Sequence, residues 1–267
     1  MSDRVTVSIQ AGVADARLNR ADKLNALDLH MFEALIETGR SLATDPSVRA
    51  VVLSGEGRAF CAGLDVSSFP ALAERGAGGP KLLERSDESP ATFAQRAAWV
   101  WAELPVPVIA ALHGATFGGG LQIALAADIR FVAPDARLSV LEIKWGLVPD
   151  MTGTQTLRRL VRLDVAKELT YTGRIVSGSE AVELGLATRV SEAPREAALE
   201  LAREIAAKSP DAIRAGKQLL DASGLVSLED GLALEAKLQR SLIGQPNQAE
   251  AVRANLEKRP PTFQDPE

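Results

Sequence analysis

Cysteine is almost absent from this chain. Cys61 is the only one in 267 residues, so no internal disulfide can form. Histidine is nearly as scarce: only His30 and His113 occur, far apart. No His/Cys cluster has metal-ligand spacing, so no metal site is expected. An excess of positive charge is also lacking. The formal net charge is −5 and the isoelectric point about 5.3, whereas a nucleic-acid partner calls for a basic face. No stretch approaches the ~20 consecutive apolar residues of a membrane span. The opening "MSDRVTVSIQ" has no apolar core of a signal peptide, which makes the cytoplasm the expected compartment. Three motifs are missing as well. Neither G-x-x-x-x-G-K-[ST] nor G-x-G-x-x-G is present, which weakens a nucleotide reading. There is no G-x-S-x-G elbow to support a serine hydrolase.

What remains is ordinary for a globular protein: 46% hydrophobic and 24% charged residues. The length admits one large domain, or a domain with an appendage. "VTVSI" alternates apolar and polar residues, and "ADARLN" can return as its hairpin partner. "NALDLHMFEALIETGRSLATDP" reads as an amphipathic helix with Leu27, Met31, Leu35 and Leu42 near one face. "RAVVLSG", "PVPVIAALHG" and "IRFVA" read as strands, the first two buried. "TFAQRAAWVWAEL" and "LQIALAA" read as helices between them. Residues 66–91, rich in glycine, proline and charge, read as a mobile surface loop. After Pro149 the chain reads as helical nearly to its end. Strands alternating with helices, then helices alone, indicate an α/β core with a helical C-terminal part.

Three stretches carry candidate chemistry. "GRAFCAGLD", Gly57 to Asp65, is a strand end followed by small residues, which let backbone N–H groups approach a ligand; alone it also fits a tight turn. Cys61 there reads as a small buried residue, with no basic neighbour in sequence to activate it. "HGATFGGGLQIALAAD" places three glycines before an apolar helix. The helix start presents unpaired N–H groups, though a close-packed helix start explains the glycines as well. His113, at the end of a buried strand, reads as a packed histidine. "LSVLEIKWGLVPDMTGT" holds Glu142 and Asp150 in mostly apolar company. Burial raises a carboxyl's pKa and can poise it for proton transfer near neutral pH, yet each acid could instead cap a turn or a helix.

Together with "TGRIVSGSEAVELGLATRV" and the tail "ANLEKRPPTF", these stretches resemble the crotonase, or enoyl-CoA hydratase/isomerase, family across most of the chain. The resemblance implies a (ββα)n spiral core over 1–195 carrying an acyl-CoA site. It implies a helical region over 196–267 that serves trimerisation, with a homotrimer or dimer of trimers as the assembly. No resident cofactor is implied, because coenzyme A arrives as part of the substrate. The backbone N–H groups of Leu64 and Gly119 take the places of the family's oxyanion hole, which stabilises an enolate. Arg58, Ala62 and Lys258 take CoA-binding places, Lys258 reaching the CoA of a neighbouring subunit. Glu142 matches one of the two glutamates by which hydratases hold a water. Gln122 stands where the other is usual; it can hydrogen-bond a water or substrate but cannot exchange a proton as a carboxylate does. Asp150 stands where hydratases usually have glycine and resembles the dienoyl-CoA isomerase branch. That branch also keeps an acid at the position of Gln122. The expected activity is therefore proton transfer at an enoyl-CoA, with Glu142 and Asp150 catalytic and double-bond isomerisation slightly favoured. Hydration of 2-enoyl-CoA is the alternative, and an acyl-CoA-binding protein without turnover is the non-enzyme reading.

Overall fold

The computed structural model describes residues 3–65, 67, 81–85 and 89–266. β1 (Val5–Gln10) and β2 (Val13–Leu18) form the expected antiparallel hairpin. Its two-residue turn, Ala11 and Gly12, has φ of 50° and 79°, the left-handed geometry that suits the twist of a tight hairpin. From β2 onward the large sheet is parallel: β3 (Ala50–Gly55), β4 (Val108–Leu112), β6 (Ile129–Val132) and β9 (Arg189–Val190) follow in that order. A smaller sheet joins β5 (Ala115–Phe117), β7 (Arg137–Ser139) and β8 (Val176–Ser177). Cys61 bridges in parallel to Thr116 at its edge.

The unbroken apolar text of β3 follows from burial on both faces. Val51 and Leu53 point into the main core, with Phe32, Leu35 and Trp101 from α1 (Leu29–Ala43) and α2 (Phe93–Ala102). Ala50 and Val52 point to the opposite face. There α7 (Pro194–Ala206) lies on the sheet through Ala198, Ala202 and Ala206, a four-residue spacing that aligns small side chains on one helix face. The helices between these are α3 (Gly119–Leu125), α4 (Gly153–Leu160), α5 (Leu163–Thr172) and α6 (Gly178–Leu184). A large-sheet strand, a small-sheet strand and a helix recur in sequence as β4–β5–α3 and again as β6–β7–α4. This is the (ββα) spiral that the resemblance implies.

The C-terminal helices are α8 (Pro210–Ala222), α9 (Leu228–Leu242) and α10 (Pro246–Glu257). Lys217 on α8 is buried and ion-pairs with Asp128 at 2.6 Å, which ties this region to the core. None of the residues of α9 is buried.

Two details differ from the sequence reading. α1 starts at Leu29, where Asp28 caps it by accepting the Met31 N–H at 2.8 Å; Leu27 lies before the helix and forms a bridge with Leu64. The segment after Pro149 also contains strands, but β8 and β9 are two residues each, too short to show a period. Of the expected loop at 66–91, the described residues include a 3-10 turn at Lys81–Leu83 and a bridge from Arg85 to Thr92; the remainder lies outside the described residues.

Candidate active site

Three segments, which follow β3, β5 and β7 in the chain, meet at one place. The first is Cys61–Asp65. Leu27 donates its N–H to the Gly63 carbonyl at 2.8 Å and accepts from the Asp65 N–H at 3.0 Å. Alternate residues of extended backbone face opposite edges, so the Leu64 N–H points away from Leu27. Gly63 has φ of +86°, and a Cβ there would stand 2.7 Å from the Phe117 carbonyl. Only glycine lets these two backbones close up. Asp65 anchors the segment: its carboxylate accepts from the Ser67 N–H and pairs with Arg20 at 2.7 Å, and these contacts hold its pKa down to about 2. Asn25 anchors it from beneath, donating to the carbonyls of Glu56 and Ala59 at 2.9 and 2.8 Å.

The second segment is Gly118–Gln122, the start of α3. Gly119 is its first residue, so its N–H has no partner within the helix. A Cβ on Gly119 would lie 2.8 Å from Met151 Sδ and 2.9 Å from Leu27 Cδ1, so the backbone is clamped from two sides.

The third segment runs from Glu142 to Gly153. Glu142 opens a 3-10 turn (Glu142–Trp145) and is only 9% exposed. Its Oε1 accepts from Gln122 Nε2 at 2.6 Å, while its Oε2 is buried and without a hydrogen-bond partner. Burial raises the Glu142 pKa; hydrogen bonds, Gln122's included, offset part of the rise, and the negative charge of Asp150 adds to it. Asp150 is exposed and lines a cleft of about 280 Å³, shared with Pro90, Trp99, Thr152 and Gln155. Protein crowding raises its pKa also. It is not the cap of α4: that position is Thr152, held at φ +70° with no side-chain capping bond.

The structure thus brings Leu64, Gly119, Gln122, Glu142 and Asp150 into one neighbourhood. Ala62 adjoins it, half-buried, its N–H bonded to the Leu24 carbonyl at 3.0 Å. Arg58 is exposed on the loop that follows β3. Lys258 is exposed at the C-cap of α10, a helix whose Asn247 bonds to Asp211 on α8 and not to the Glu142 cluster. Cys61 is buried, donates to the Asn25 carbonyl at 3.1 Å and has its thiol pushed up to about 12, which makes it a packing residue and a poor nucleophile. His113 lies 3.1 Å from the Gly57 carbonyl, outside the carboxylate pair. A larger cleft of about 550 Å³ on α1, lined by Glu33, Ile36, Arg40 and Phe93, contains none of these groups.

Such an arrangement can hold an oxyanion between two backbone N–H groups and move a proton beside it. The family model described as enoyl-CoA hydratase/isomerase matches residues 8–266. The chain belongs to the enoyl-CoA hydratase/isomerase family. Within this family of enzymes it is 35% identical to the mitochondrial methylglutaconyl-CoA hydratase of Mus musculus, over 94% of this chain and 79% of that one. It is also 35% identical to the peroxisomal Delta(3,5)-Delta(2,4)-dienoyl-CoA isomerase of Arabidopsis thaliana, over 92% and 90%. The crystal structure of an enoyl-CoA hydratase from Bacillus anthracis superposes with a TM-score of 0.85 at 32% identity, covering 97% of this chain and 98% of that one. The crotonase fold is therefore that of this chain too, and an acyl-CoA thioester is consistent with its membership. Both hydratases and an isomerase stand at similar distance.

Among the described residues, no group of three or more His, Cys, Asp or Glu could hold a metal, and no helix is long and apolar enough to cross a membrane. Sequence reasoning missed Asn25 and Arg20, which brace the first segment, because neither sits in a recognisable motif. It also gave Asp65 no role. The bonding of Gln122 was beyond sequence too, since it depends on a turn 29 residues away.

Proposed function

We propose that this enzyme moves a proton along an unsaturated acyl-CoA, shifting a double bond. In this reading the thioester oxygen accepts from the N–H groups of Leu64 and Gly119. Glu142 removes a proton from the α-carbon, and the electron pair spreads into the enolate held by those two donors. Reprotonation farther along the acyl chain, by Glu142 or by Asp150 in its cleft, completes the shift. The observation that carries it is Glu142 itself: a buried carboxylate with a raised pKa, one oxygen unpartnered, and an amide where a second acid would stand. Isomerisation needs a shuttling base and no bound water; two-acid hydration needs a second proton carrier at the water, which Gln122 is not. Coenzyme A enters as part of the substrate, with Arg58 and Ala62 beside it, and no resident cofactor is required.

The same reading assigns the exposed apolar residues Leu220, Leu225, Leu228, Leu232 and Ile243 to self-association as a trimer or dimer of trimers. Lys258 then serves the CoA of a neighbouring copy. Sedimentation equilibrium tests this, and a monomer at micromolar concentration contradicts it.

The reaction is tested in deuterium oxide with a 3-enoyl-CoA substrate. The double-bond shift itself is the readout, with solvent deuterium on the acyl chain wherever the abstracted proton exchanges before its return; a protein that only binds acyl-CoA shows neither. Glu142→Gln should abolish the shift; an unchanged rate removes Glu142 from the mechanism.

A further inference from the structure

Gln122 is buried, and its side chain makes three hydrogen bonds at once. Its Oε1 accepts from the Met151 N–H at 2.8 Å and from the Gly153 N–H at 2.9 Å. Its Nε2 donates to Glu142 Oε1 at 2.6 Å. Two backbone N–H groups can meet only an acceptor, so the amide carbonyl must face the turn and the NH2 group must face Glu142. Between the two bonded N–H groups lies Thr152, whose φ of +70° a β-branched residue rarely adopts. The pair of bonds brackets that strained residue. Gly153 is part of the same fit, because a Cβ there would stand 2.6 Å from Gln122 Oε1. Asp150 is the residue just before this turn.

We propose that Gln122 is a positioning residue that locks Glu142 by one oxygen to the Met151–Gly153 turn, which Asp150 immediately precedes, so that Oε2 alone is left for proton transfer. The inference rests on Glu142 being the base, and it gives Gln122 a task other than holding water. Donation from an amide favours the ionised carboxylate and opposes the effect of burial. The charge acting on Glu142 from outside is that of Asp150; Lys144, on the same 3-10 turn, is stacked over the Trp145 ring. A glutamate at 122 could keep the two turn bonds through one oxygen. Its other oxygen would then meet Glu142 Oε1 at hydrogen-bond distance, and two carboxylates that close must share a proton. As an amide, whatever its size, residue 122 keeps the base more ionised than burial alone would leave it.

The test compares wild type, Gln122→Glu and Gln122→Met in the full-length enzyme. The Glu142 titration is followed by carboxyl-carbon NMR, assigned through Glu142→Gln, and the acid limb of kcat is recorded alongside it. In Gln122→Glu the turn bonds persist and the fold is kept, but the Glu142 titration moves up by more than about one pH unit, because the two carboxyls titrate as a coupled pair. Gln122→Met removes a donor to a charged group, so a smaller upward shift is expected, with kcat falling about ten-fold or more and KM little changed. A Glu142 titration unmoved in Gln122→Glu would overturn the proposal and leave Gln122 a packing residue. Because the NMR titration does not depend on turnover, it answers even if the isomerase reading fails.

Discussion

A Cβ added to Gly63 would stand 3.7 Å from the Gly119 nitrogen, so the two glycine-containing backbones lie against one another. They are 56 residues apart in sequence, and both follow closely on the parallel Cys61–Thr116 bridge. Gly63→Ala is therefore expected to displace the Leu64 N–H from its place beside Gly119. Losing one oxyanion donor typically costs about 10²–10³-fold in kcat. The left-handed φ adds a strain of roughly 1–2 kcal/mol. Steady-state kinetics with a melting curve checks both, and wild-type kcat in a folded variant would exclude the Leu64 N–H from the site.

The raised pKa of Glu142 predicts a pH-dependent stability. The folded state holds its proton to a higher pH than the unfolded chain does, whose glutamate titrates near about 4.3. Between those two values the folded state binds more protons, so stability falls as pH rises. Glu142→Gln removes this loss. The variant's melting temperature relative to wild type should rise with pH through that window and then level off. A difference independent of pH would mean that burial does not hold the Glu142 proton.

Asp150 raises the Glu142 pKa by its charge and lines the cleft. Asp150→Asn should move the acid limb of kcat to lower pH. If Asp150 also returns the proton, plateau kcat should drop by about 10²–10⁴-fold, the usual range for an acid–base group. The pH–rate profile separates the two effects: a lower limb with unchanged kcat leaves Asp150 an electrostatic neighbour only.

Away from the site, Ala202 is fully buried against the sheet. Ala202→Leu should overpack that face at a cost of about 1–3 kcal/mol. Thermal denaturation should show a fall of several degrees, with kcat per folded molecule unchanged, because α7 lies on the sheet face opposite α1 and α2.

Much of this was readable before the structure. The parallel strands announced themselves as apolar runs, and the alternation of β3 into two cores explains why no polar residue interrupts it before Ser54. The glycines of "CAGLD" and "FGGG" signalled close backbone approach. What the sequence could not show was pairing across distance. Leu27 looked helical because its spacing fits, yet its backbone serves Gly63 and Asp65. Gln122 looked like a weakened catalytic position, yet its carbonyl is bound to the turn beside Asp150. Both depend on segments that become neighbours only once the spiral closes.

The central claim is that one buried carboxylate relocates a proton without adding water. Purified enzyme given 2-enoyl-, 3-enoyl- and 3,5-dienoyl-CoA in parallel tests it most directly. The account predicts a double-bond shift in a 3-enoyl or 3,5-dienoyl substrate that outpaces hydration of the 2-enoyl substrate and is lost in Glu142→Gln. Rapid hydration of 2-enoyl-CoA with no shift in the other two would contradict it.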